Sequence, residues 1–109
     1  MDQRRSKEVF LSSIDKGLDA FGGNVHAVVY YQLKGWFGIS REDIPAKPDL
    51  FVQTIDKLFG VGAAAVSLAI CRELETKFGI DGLREKDLLT VMRIVSNKQL
   101  EKNSRTPAK

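Results

Sequence analysis

The chain is poor in the residues that most often carry chemistry. Among its 109 residues there is one cysteine and one histidine. A lone thiol, Cys71, cannot close an internal disulfide, which agrees with a reducing compartment. One imidazole, His26, without paired thiols leaves metal binding to scattered carboxylates, and no ligand spacing speaks for it. No Gly-x-x-x-x-Gly-Lys, His-Glu-x-x-His or Gly-x-Ser-x-Gly occurs, so the phosphate-cradling loop, the metalloprotease helix and the nucleophile elbow are all missing. The apolar runs are short and interrupted, which argues against a bilayer span. The charged start MDQRRSKE is not followed by a signal-peptide apolar stretch. These absences lead to the expectation of a soluble, cytoplasmic, non-enzymatic protein with no catalytic residues, cofactor, metal or membrane partner.

What is present is an ordinary globular composition, 43% apolar and 28% charged, in a length that fits one domain with a real core. The net charge of +3 invites a nucleic-acid reading, so its location matters. From Lys98 onward four basic residues face a single acid, and Arg4, Arg5 and Lys7 slightly outweigh Asp2 and Glu8, whereas the body between is close to neutral. Basic ends attract polyanions weakly and in a salt-dependent way, but a near-neutral body lacks the broad positive face of a dedicated DNA-binding module.

Periodicity predicts helices. Val9, Phe10, Ile14, Leu18 and Phe21 mark one face of a helix over about 5–21, and Val25, Val28, Val29, Leu33, Trp36 and Phe37 mark a second. The run HAVVYY has strand-like composition, yet a strand would turn Val28 or Val29 to water. Phe51, Ile55, Leu58 and Phe59 stripe a third helix, with Pro48 in its first turn, where a missing amide hydrogen costs nothing. Val66, Ala69, Ile70, Leu74 and Phe78 stripe a fourth, and Leu88, Val91, Met92 and Val95 a fifth. AFGG, WFGI, LFGV and KFGI read as stop signals; in the last three a glycine followed by Ile or Val is expected to take the left-handed position after a helix. The segments between them do not repeat one another. The expected fold is all-α, a compact bundle of about five short helices with glycine-capped ends, spanning 1–97. A polar, basic tail at 98–109 is expected to be disordered.

Three fragments resemble functional motifs and have simpler explanations. FGISREDIPAKP at 37–48 resembles the turn of a helix-turn-helix, but Pro45 and Pro48 stop the second helix after about one turn, too short for the major groove. Ser40 capping one turn, with Asp43 at its third position, accounts for the same residues. Gly60-x-Gly62-x-x-Ala65 fits a dinucleotide fingerprint with Asp81 about twenty residues on, yet the segment before it reads as helix where the mechanism needs a strand. The alanines that follow are too apolar to read bases and suit close approach of another helix, which makes this the expected central, most buried segment. Cys71, beside Ile70, reads as a small buried thiol. His26, one turn before Tyr30, could share a helix face with it, and reads otherwise as a surface or capping residue.

VVYYQL at 28–33, GISREDIPAKPDLF at 38–51, LFGVGAAAV at 58–66 and ICRELETKFGI at 70–80 together resemble an archaeal helical output domain, one of the Nitrosopumilus output domain families. The resemblance covers about half the chain and lies in the combined order of parts. It implies a cytoplasmic archaeal domain of signal transduction, fused behind sensory modules in its relatives and without assigned catalytic residues. Ser67 departs from the acidic residue that the family pattern implies, and no sensor or receiver precedes the domain, which is expected to stand alone. Recognition of a protein partner, or of a second copy in a homodimer, through apolar helix faces is the expected function. Tyr30, Tyr31, Trp36, Leu89 and Ile94 are the candidate contacts, the aromatic ones combining area with a polar edge. The alternative is a small DNA- or RNA-binding protein using Arg4, Arg5, Lys98, Lys102 and Arg105 as basic arms.

Overall fold

A computed structural model describes the backbone of residues 3–104 and the side chains of residues 5–96. The described residues are all-helical, with no strand among them. In chain order the helices are α1 (Gln3–Asp19), α2 (Val25–Phe37), α3 (Pro48–Phe59), α4 (Ala63–Phe78) and α5 (Leu88–Ser104), with single 3-10 turns at Arg41–Asp43, Gly60–Gly62 and Leu83–Glu85.

The core is built on the seam between α1 and α4, the most extensive helix pair. Leu11, Ile14 and Leu18 of α1 and Ile70 and Leu74 of α4 are fully buried, each burial contributing about 1.5–3 kcal/mol. Gly17 sets the approach. A Cβ built there would lie 2.8 Å from the Cα of Ile70, closer than any side chain tolerates. Val29 and Leu33 of α2, Phe51 and Ile55 of α3, and Leu88, Val91, Met92 and Val95 of α5 complete one cluster. Two polar side chains enter it satisfied: the hydroxyls of Ser13 and Thr54 donate to the carbonyls one turn back, Val9 at 2.8 Å and Leu50 at 2.9 Å.

The corner after α2 shows why no long helix forms there. The backbone N–H of Ser40 donates to Asp43 Oδ2 at 3.0 Å, closing the three-residue turn Arg41–Asp43. Ile44 is then buried, Pro45 follows, and α3 starts at Pro48. A recognition helix has no room in this corner.

Three expectations change. α4 is not buried all round: Ala63, Val66, Ile70, Cys71 and Leu74 face the core, but Ala64, Ala65 and Leu68 are exposed. The close helix approach uses Gly17 instead of the alanines, because one small residue on the facing helix suffices. α5 continues through 98–104, into the segment expected to be an unstructured tail, since each added residue of KQLEKNS extends an existing hydrogen-bonded helix. Finally, Pro48–Phe78 is long and apolar enough, by length and composition only, to cross a membrane. Gly60–Gly62 forms a 3-10 turn that carries the chain from α3 into α4. Gly60, at φ 53° and ψ −122°, nevertheless breaks the α-helical path there, a conformation that favours glycine.

Candidate functional site

α2 is apolar on more of its circumference than its packing uses. Val29 and Leu33 bury one side, and Gly38, in the left-handed region at φ 71°, ends the helix by donating its N–H to the Lys34 carbonyl at 2.9 Å. The opposite side keeps Val28 at 55% and Tyr31 at 76% exposure, three residues apart and therefore on one face. Gly35 follows one turn on, with open space where a Cβ would stand. Trp36 is 40% exposed at the end of the helix, and Lys57 Nζ of α3 stands 4.5 Å from its ring centroid, a cation–π contact worth about 0.5–1 kcal/mol.

Tyr30, a candidate contact by sequence, serves a different purpose. Its half-buried ring packs on the core, and its hydroxyl donates to Asp15 Oδ1 at 2.5 Å. Arg41 reaches the same carboxylate from the corner, Nε to Oδ1 at 3.2 Å and a terminal nitrogen to Oδ2 at 2.9 Å, and also meets Glu8 at 3.3 Å. Burial raises the Tyr30 phenol and the bond to Asp15 raises it further; the bond to Asp15 likewise strengthens the hold of Arg41 on its proton. The set ties α1, α2 and the corner together. Its phenol and guanidinium stay protonated, so neither supplies a base.

His26 does lie beside Tyr30, ring edge to face with centroids 5.9 Å apart. Its Nδ1, however, is 2.8 Å from both Asp19 oxygens, and its backbone N–H donates to Oδ1 at 3.1 Å. Burial pushes the Asp19 carboxyl up, but these bonds outweigh it and hold the group below its ordinary value. The pair closes the turn between α1 and α2.

A second surface feature is an open groove of about 600 Å³ where α3, α4 and the start of α5 meet. Leu89 lines it, half-buried, and so do Leu68 and Cys71. Cys71 is buried, and burial, with Glu75 and Asp87 nearby, pushes its thiol up to about 11, which makes it a weak nucleophile near neutrality. Beside the groove, Glu75 accepts the backbone N–H groups of Leu83 and Arg84 at 2.8 and 3.2 Å and the Arg84 Nε at 2.9 Å, pinning the segment before α5 onto α4. Sequence reasoning missed this groove, because its walls come from segments far apart in the chain.

Of the remaining candidates, Ile94 is half-buried on α5. Arg5 is exposed on α1. The side chains of Arg4, Lys98 and Lys102, and all of Arg105, lie outside the described residues. The Gly60–Gly62 segment joins two helices, so no strand precedes the fingerprint-like glycines. No cluster of three or more metal-ligating side chains occurs among the described residues. The fold and surface define an all-helical domain with two apolar surface features. Compared with protein-family models, curated proteins and solved structures, the chain matches none.

Proposed function

We propose that this chain is a non-enzymatic regulatory domain that recognises a second copy or another protein through an apolar helix face. The observation that carries the reading is the outer side of α2, where Val28 and Tyr31 stand exposed, with no covering element among the described residues. A helix of a monomeric domain normally turns such residues inward and its charges outward, whereas Lys34 is the only acid or base side chain besides His26 in the whole of α2. The order of sequence parts supports a place among archaeal helical output domains, acting in the cytoplasm in signal transduction. The basic residues at both ends support a competing reading, weak and salt-dependent contact with DNA or RNA.

The test is the solution mass by light scattering over a tenfold concentration range, for the wild type and for the double substitution Val28→Glu, Tyr31→Glu. Both positions are exposed, so the variant should keep its melting temperature. Concentration-dependent association that the variant loses supports the reading. A mass that rises equally in both removes α2 from it.

A further inference from the structure

The groove between α3, α4 and α5 carries an inference that rests on the protein-interaction reading and goes further, to the chemistry of one partner. Its volume, about 600 Å³, suits a row of three or four apolar side chains. Its lining is apolar along Val52, Leu68, Leu88 and Leu89, with Leu68 36% exposed. Its lining also includes four charged residues, Asp56, Arg84, Lys86 and Asp87, and two of these are already committed. Arg84 is held by Glu75, and Asp87 caps α5, accepting the Thr90 hydroxyl at 2.6 Å and its backbone N–H at 3.4 Å. Asp56, on α3, and Lys86, on the segment before α5, have no ionic partner among the described residues.

An apolar channel with one uncommitted anion and one uncommitted cation on different walls selects its occupant by charge. A small apolar molecule would cover the floor and leave both exposed charges to water, drawing nothing from them. An all-basic or all-acidic segment would satisfy one wall and be repelled by the other. We infer that the groove docks an amphipathic helix of a partner protein, its apolar face on the floor, a basic residue on one edge against Asp56 and an acidic residue on the other against Lys86. Helix-in-groove recognition needs only apolar anchors one turn apart and such flanking charges. The segment 105–109 is excluded as the occupant: α5 starts at the groove and carries the chain about 25 Å away by Ser104, farther than five residues can return.

Three synthetic helical peptides test this, with one shared leucine face and edges that are Lys/Glu, Glu/Glu or Lys/Lys. Their binding to the full chain is read by fluorescence anisotropy, and occupancy of the groove by repeating it with Leu68→Glu, an exposed position in the lining. The Lys/Glu peptide should bind about fivefold or more tighter than either other, and Leu68→Glu should weaken its binding. Asp56→Lys should transfer the preference to Glu/Glu, and Lys86→Glu to Lys/Lys; both sites are exposed, and unchanged melting temperatures will show that both variants fold. Equal binding of the three peptides, no binding, or binding that Leu68→Glu leaves unchanged overturns the inference. If α2-dependent association persists alongside such a result, the groove alone is wrong; if that association is absent as well, the protein-interaction reading falls with it.

Discussion

The two helical glycines Gly17 and Gly35 should respond to the same substitution with opposite signs. Replacing glycine by alanine inside a helix gains about 0.8–1 kcal/mol from reduced backbone freedom in the unfolded chain. At Gly35 nothing lies within 4 Å of the new methyl group, so Gly35→Ala should keep most of that gain. At Gly17 the methyl would stand 2.8 Å from both the Cα and the Cγ1 of Ile70 and 3.0 Å from its backbone nitrogen. A side-chain tip could rotate away, but a Cα in the middle of α4 cannot, so the two central helices must separate along their seam. Overpacking of this kind costs about 1–3 kcal/mol, and because the whole seam opens, the upper part of that range applies. Gly17→Ala should therefore lose about 1–2 kcal/mol net, and its melting temperature should fall by about 4–10 °C, while Gly35→Ala should rise by about 2–4 °C. Thermal melts by circular dichroism, at concentrations low enough to suppress association, decide it. A Gly17→Ala protein melting at or above the wild type would refute the account of how α1 and α4 pack.

Two further substitutions probe the polar ties. Tyr30→Phe removes the hydroxyl that donates to Asp15 and leaves the carboxylate to Arg41 alone, so a loss of about 1–2 kcal/mol is expected in urea denaturation; no loss would mean that the bond is replaced by water at no cost. Asp87 is held below its ordinary pKa by the bond from the Thr90 hydroxyl, and Asp43 by the backbone N–H of Ser40. A lowered folded-state value means stability that is present above about pH 4 and fades as the pH falls below it. Asp87→Asn should therefore be slightly less stable than the wild type at pH 7 and equal to it at pH 2, and a gap of the same size at both would contradict the assignment.

The all-helical class was legible because it follows from local signals. The apolar period of α3 and α4, proline at the start of α3, and the Ser40–Asp43 turn each sit within a few residues of sequence. The burial of Cys71 followed from its neighbour Ile70 on the same helix. What could not be read depends on which distant residues meet. Tyr30 and Tyr31 are chemically alike and adjacent, and only Asp15 and Arg41, brought from α1 and the corner, decide that the first ring is tied down and the second left in water. The alanines of α4 suited a buried contact as well as an exposed face. Gly17 alone, unremarkable in sequence, made the close approach that they were expected to make.

The central claim is that apolar helix surface, and not the basic ends, carries the function. The most direct measurement is the solution mass at low and high salt, with and without a short DNA duplex. The account predicts association that persists at high salt and is indifferent to DNA. A monomer that gains mass only with DNA and only at low salt would contradict it and assign the function to the basic ends.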